Sequence, residues 1–195
     1  MNNETRDTIV SAARKRMAHY GYSKTSMNEI AADCGMSVGN LYRFYKNKEA
    51  IAIAGAETCF REKAEVSEVA AGDQTNVFEK LYAYLEARLG YMHQFVSETP
   101  HMHEMVELIT TRHQDLLQSY EIRAIHFLAE IIREGQSDGS VKPGDVEGMA
   151  ADIYRATMCF NIPLCMYGPL DEKKVQLKSL LETMFRGLGK RKGEV

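Results

Sequence analysis

Proline placement constrains this chain more than any other feature. Its four prolines, Pro100, Pro143, Pro163 and Pro169, all lie in the second half, and residues 1–99 contain none. Proline removes a backbone donor and clashes with the preceding helical turn, so long helices can run unbroken through the first half. No alternating β-type run competes with them. The expected fold is therefore all-α, with about nine helices. Hydrophobic residues make up 45% of 195 residues, enough for a real core and too many for a disordered chain.

Apolar spacing and end signals place the elements. A first helix is expected over 5–20, with Ile9, Val10, Ala13, Met17 and Tyr20 on one face and Gly21 ending it. A second starts at Ser26, where Ser26 and Glu29 fit the S-x-x-E capping box; Ile30, Ala31 and Cys34 face inward, and Gly35 permits a sharp turn. Ser37 caps a short third helix over 38–45, and Asn47 caps a fourth that reaches about Val69 before Gly72 and Asp73 break it. A fifth covers 74–96. Thr99-Pro100 reads as a cap followed by proline at the first helical position. Helical spacing then continues to about Glu134 with a break near His113, and 135–144 is expected to be a loop. Asp145 caps a helix over 146–166, kinked or ended by Pro163. Pro169 and Asp171 introduce the last helix, which ends at Leu188, and the tail 190–195 is expected to fray.

Composition narrows the function. No 18-residue apolar run occurs, so no membrane-spanning helix is expected; the apolar stretch 158–170 is too short and Asn161, Pro163 and Pro169 interrupt it. The segment MNNETRDTIV lacks the apolar core of a signal peptide, which points to a cytoplasmic protein with no membrane partner. Cys34, Cys59, Cys159 and Cys165 form no C-x-x-C pair, so free thiols are expected. Cys159 and Cys165 are about 9 Å apart along a helix at 1.5 Å per residue, too far for an easy bridge. His101-x-His103-Glu104-x-x-Glu107, with His113 nearby, is the strongest metal-like pattern, because His103 and Glu107 share a helical face; the simpler reading is a solvated face near a helix start. No nucleophile motif, phosphate loop or zinc signature appears. No metal, no cofactor and no enzymatic activity are expected.

Net charge is −3, yet its distribution is uneven. Residues 1–50 carry eight Lys/Arg against five Asp/Glu, whereas the remainder carries 16 against 22. A basic front on an acidic body is a weak pointer to nucleic acid. Ala31, Gly35 and Leu41 strengthen it, because they sit at the spacing of a helix-turn-helix. A small residue lets two helices cross closely, a glycine makes the turn, and an apolar residue anchors the second helix so that it can lie in the major groove.

The wider run is more specific. Gly21, Thr25-Ser26-Met27, Ile30-Ala31, Cys34-Gly35-Met36-Ser37, Gly39-Asn40-Leu41-Tyr42 and Lys48-Glu49-Ala50-Ile51 together resemble the TetR/AcrR family of bacterial one-component regulators over about residues 5–55. One departure is visible: where the family often has His or Tyr followed by Phe, this chain has Phe44-Tyr45, and Phe44 lacks the polar group for a DNA contact. The resemblance implies an N-terminal three-helix helix-turn-helix domain (1–50) that binds DNA. It also implies a helical domain (51–195) for effector binding and dimerisation. The function it implies is a repressor released from a pseudo-palindromic operator by a small molecule. The competing reading is a helical small-molecule-binding or metabolite-converting protein whose helix-turn-helix is only a scaffold.

DNA chemistry assigns roles to the matched residues. The Asn40 amide can pair with adenine N6 and N7, and Arg43 can reach a guanine edge or a phosphate. Val38 and Gly39 let the backbone approach, and Val38 can touch a thymine methyl. Tyr42 resembles the family tyrosine whose hydroxyl meets a phosphate. Lys48 adds its charge to the positive end of the fourth helix. Thr25, Ser26 and Asn28 are candidates for backbone contacts, although capping is the stronger reading for Ser26; Ser37 and Lys46 complete the DNA set. For each of these, a solvated or structural role is the competing reading.

In the body, Tyr82, Leu85, Leu89, Met92, Met105, Leu108, Ile109, Leu116, Tyr120, Tyr154, Met158 and Ile162 are candidates for an apolar effector pocket or plain core. Ile153, Leu177, Leu180, Leu181, Met184, Phe185 and Leu188 are candidates for a homodimer interface. Two recognition helices about 34–36 Å apart would read a pseudo-palindrome.

Overall fold

The computed structural model describes residues 2–188. Among these residues there are nine α-helices and no strand: α1 (Asn2–Tyr20), α2 (Met27–Asp33), α3 (Val38–Tyr42), α4 (Lys48–Gly72), α5 (Val77–Glu98), α6 (Met102–Arg112), α7 (Gln114–Asp138), α8 (Val146–Ala156) and α9 (Leu170–Leu188). Two short 3-10 turns, Met158–Phe160 and Pro163–Cys165, lie between α8 and α9. The expected tail, 190–195, lies outside the described residues. The all-helical expectation holds.

The chain folds into two compact units. The first comprises the residues up to Arg61 together with Phe95–Leu117; the second comprises Glu62–Gln94 and the residues from Gln118 onward. In the first, Ile9, Val10, Ala13 and Met17 of α1 pack with Met27, Ile30 and Ala31 of α2, Leu41 of α3, Ile51 and Ala52 of α4, and Leu108 of α6. Ile9, Ile30 and Leu41 are wholly buried; burying a side chain of that size stabilises by about 1.5–3 kcal/mol. In the second unit, Leu81, Leu85, Leu89 and Met92 make the buried face of α5. Leu128, Ile131, Ile132 and Gly135 do the same on α7, following helical spacing.

Several element ends differ from the sequence reading, those of α3, α6, α7 and α8 among them. α3 has only five residues, because Arg43 and Phe44 N–H groups bond back three residues to Asn40 and Leu41 and tighten the last turn. Thr99 does not cap α6; His101 holds that position and makes no side-chain cap. α7 continues through Gly135 to Asp138. Gly135 is required by packing, since a Cβ there would lie 2.6 Å from Val141 Cγ2 and 2.9 Å from Val77 Cγ2. α8 ends at Ala156, seven residues before Pro163, as the Phe160 and Asn161 N–H groups bond back three residues to Thr157 and Met158 and tighten the chain into the first 3-10 turn.

Candidate nucleic-acid interface

The α2–turn–α3 segment is fixed by side chains that satisfy helix ends. Ser26 Oγ accepts from the Glu29 N–H at 3.3 Å, while the Glu29 carboxylate accepts from the Ser26 N–H at 2.8 Å and from its hydroxyl at 2.7 Å. These bonds, the hydroxyl first, hold the Glu29 carboxyl below its ordinary range. Arg16 of α1 bonds to Asp33 through Nε and, at 2.7 Å, through Nη2, and pairs with Glu29 at 3.3 Å. The Asp33 carboxyl is lowered chiefly by that bond. Gly35 makes the turn with φ of +63°, in the left-handed region that glycine adopts freely. Ser37 Oγ then accepts from the Asn40 N–H at 3.2 Å and starts α3.

With Leu41 buried, α3 presents a defined outer face. Gly39, Tyr42 (53% exposed), Arg43 and, just beyond, Lys46 are exposed, as are Ser26, Asn28 and Ser37. Val38 and Asn40 are half-buried; Val38 packs against the core, and the Asn40 amide lies 4.0 Å from Met36 Sδ. Phe44 is half-buried against the same core and Tyr45 is buried in it, under the Arg6 guanidinium at 5.0 Å. The Phe44-Tyr45 departure therefore falls on packing positions.

Two members of the expected DNA set face inward. Thr25 is 2% exposed, and its hydroxyl donates to the Gly21 carbonyl at 2.8 Å. Lys48 Nζ donates to the carbonyls of Tyr22 (2.9 Å), Thr25 (3.0 Å) and Ser23 (3.3 Å) and sits 4.4 Å from the Tyr22 ring centre. An ammonium has three protons, so Lys48 closes the α1–α2 loop with all of them. Burial raises the Tyr22 phenol, and Glu49 adds to the effect.

Sequence reading missed the part that α6 plays here. The Glu104 carboxylate accepts from the Ser23 N–H, and that bond chiefly keeps it below its ordinary range. At the other end of α6, His113 Nε2 lies 3.0 Å from Glu49 Oε1, and Arg112 lies 3.6 Å from Glu49 Oε2. No local spacing announces bonds between residues 81 and 64 positions apart. His101 and His103 have ring centres 6.4 Å apart; no group of three His, Cys, Asp or Glu that could hold a metal ion occurs among the described residues. All four cysteines are free thiols.

The effector candidates fall into both units. Met105, Leu108, Ile109 and Leu116 belong to the first, where Leu108 and Met105 pack on the helix-turn-helix core. Tyr82, Leu85, Leu89, Met92, Tyr120, Tyr154, Met158 and Ile162 belong to the second. Leu85, Leu89 and Met92 are buried, Tyr82, Tyr120, Tyr154 and Ile162 are half-buried, and Met158 is exposed. Of the dimer candidates, Ile153, Leu177 and Leu181 are buried inside the chain's own second unit and offer almost no surface to a partner. Leu180, Met184 and Phe185 are half-buried, Phe185 edge-on to Phe78 at 5.5 Å; the Leu188 side chain lies outside the described residues.

The second unit also buries a charge. Arg88 of α5 is 5% exposed; its Nη1 donates to the Tyr84 hydroxyl at 3.1 Å, and its Nε has no partner. Tyr84 stacks on Phe127 at 4.8 Å. Burial raises both the Tyr84 and Tyr154 phenols, and the Arg88 charge works against that rise in each.

A capped helix, a glycine turn and a short second helix with an exposed polar face define a helix-turn-helix DNA-binding protein. Residues 9–54 match the family of bacterial regulatory proteins, tetR family, and residues 78–177 match the tetracyclin repressor-like C-terminal domain. The chain is 30% identical over 151 residues to the uncharacterized HTH-type transcriptional regulator YhgD of Bacillus subtilis, spanning 75% of this chain and 77% of that protein. The fold is shared with a transcriptional regulator from Cytophaga hutchinsonii (TM-score 0.76, 18% identity, 94% of this chain and 98% of that one). It is also shared with a TetR-family regulator from Pectobacterium atrosepticum (TM-score 0.73, 20% identity, 97% and 96%). The chain belongs to the TetR family of transcriptional regulators.

Proposed function

We propose that this chain is a homodimeric repressor that leaves a pseudo-palindromic operator when a small molecule binds its body. The observation that carries the DNA half is the outer face of α3, where Gly39, Tyr42, Arg43 and Lys46 stay exposed while Ser37 and Leu41 fix the helix. Residues 1–50 read the DNA, supported by the rest of the first unit (to Arg61 and Phe95–Leu117), and the second unit carries the effector and dimer surfaces. Tyr42, Arg43 and Lys46, with Ser26, Asn28 and Ser37, engage the backbone, and Asn40 with Val38 and Gly39 reads base edges. Thr25 and Lys48 hold the loop rather than the phosphates.

A five-residue recognition helix gives little affinity alone, so two must act together on half-sites one helical turn apart. Exposed apolar residues of the second unit favour pairing: Val175 is 70% exposed and Leu164 63%. Together with the half-buried Leu180, Met184 and Phe185 they supply the surface that a second copy would cover. An effector held in the second unit, among Tyr82, Met92, Tyr120 and Tyr154, shifts the population away from the spacing the operator needs.

The test is a titration of purified protein against the DNA upstream of its own gene, at several salt concentrations, with random DNA as control. Preference for a two-fold site, bound by two chains, is expected. Asn40→Ala should lose about 1–3 kcal/mol of discrimination at one base pair per half-site. Equal affinity for all sequences at every salt concentration would refute the operator reading.

A further inference from the structure

Arg88 poses a question that the DNA-binding reading leaves open. A guanidinium carries five N–H donors and a permanent charge, and burying it without an anion is strongly unfavourable. Here Nη1 is given to the Tyr84 hydroxyl, while Nε is buried without a partner. The edge left open is the one formed by Nε and Nη2, the fork that grips a carboxylate through two parallel N–H···O bonds. The same unit shows that fork closed: Arg123 holds the two oxygens of Glu68 through its Nε and Nη2, both at 3.0 Å. Glu68 is therefore taken. Glu121, which acts on the neighbouring Tyr154 phenol, makes no ion pair with Arg88. The groups around it are the Tyr84 ring, 5.3 Å from the guanidinium carbon and stacked on Phe127, and the Tyr154 phenol, with Met92 one turn along α5.

We infer that Arg88 is the anion anchor of the effector site, and that the effector is a small organic acid whose carboxylate closes on Nε and Nη2 while its apolar part lies along Tyr84, Phe127 and Met92. The inference rests on the proposed effector role of the second unit and adds the chemistry of the ligand. A neutral ligand of the same shape leaves the guanidinium unmet and forfeits the fork. Methionine and aromatic walls tolerate varied apolar shapes, so the headgroup sets selectivity and the tail sets affinity.

The experiment compares decanoate and benzoate with decanamide and benzamide, on the full-length wild type, Arg88→Met and Arg88→Lys. Thermal unfolding and operator release are both read. In the wild type at least one acid should raise Tm while its amide does not. Arg88→Met should unfold at or above the wild-type temperature without ligand, because it removes an unmet buried charge, and should bind that acid at least tenfold more weakly. Arg88→Lys, which keeps charge but loses the fork, should fall between. The assignment is overturned if neither acid exceeds its amide, if Arg88→Met binds acid as well as the wild type, or if Arg88→Met loses stability as a core residue would. An amide that releases operator equally from wild type and Arg88→Met keeps the effector reading and removes the anion anchor. An acid that binds through Arg88 and leaves operator affinity unchanged does the reverse.

Discussion

The two units treat their basic side chains differently. In the first, Arg16 is closed on Asp33 and Glu29, and Lys48 gives its protons to three loop carbonyls. In the second, Arg88 is more deeply buried than either and keeps one edge open. A DNA reader must hold its helices in one geometry before DNA arrives, so the chain itself supplies the partners of Arg16 and Lys48 and leaves Arg43 and Lys46 at α3's outer face to DNA. A body that waits for a ligand can leave a charge for the ligand to meet. The contrast teaches that unmet polarity is informative by position: near α3 it would loosen the reading face, whereas inside the body it defines a chemistry.

Four substitutions break or sharpen this comparison. Leu41→Ala has the largest expected effect, about 2–5 kcal/mol of stability, because it empties a wholly buried site under α3. Denaturant unfolding should show the loss, and operator binding should fall with it; a loss of binding with unchanged stability would mean that Leu41 touches DNA. Gly135→Ala tests the second unit by overpacking against Val141 and Val77, at about 1–3 kcal/mol. Its Tm should drop while helix content by circular dichroism stays the same, since alanine is a better helix former than glycine.

Lys48→Met should cost about 1–3 kcal/mol through the three carbonyls it abandons. The sharper reading is the salt dependence of binding to random DNA. If Lys48 is occupied by the loop, the slope stays the same; a fall of about 1 would put its ammonium on a phosphate. Ser26→Ala is the smallest, at about 1 kcal/mol for a lost cap, and it carries a pH signature. Ser26 holds the folded Glu29 carboxyl below its ordinary value of 4.5. That contribution is complete above pH 4.5 and is lost as pH falls through the lowered folded value. The Tm gap between Ser26→Ala and the wild type should therefore narrow in acid, as the carboxylate of both proteins protonates.

Most of the local chemistry is readable in the sequence, the Thr99-Pro100 cap and the short α3 excepted. The Ser26–Glu29 box, the Gly35 turn, the Ser37 and Asp145 caps and the break at His113 each depend on residues within a few positions of one another, and each stands in the structure. What depended on distant partners was not readable. Gly135 reads as a loop residue until Val141 and Val77 are seen against it. Lys48 reads as a phosphate ligand until carbonyls 23 to 26 residues earlier claim its protons. The candidate site divides the same way: the exposed face of α3 follows from one apolar anchor and one cap, whereas Arg88 was invisible, because a lone arginine in a helix ordinarily reaches water.

The membership of α6 sets a rule for building chimeras from such regulators. The first fifty residues look like a cassette that could be moved between proteins. Cut there, the cassette leaves behind Leu108, which fills its core, and Glu104, which accepts the Ser23 N–H. It also leaves His113, the partner of Glu49. A transplanted DNA reader from this chain must carry the residues to Arg61 and 95–117 with it, or receive host helices that supply the same core residues, an acid and a histidine.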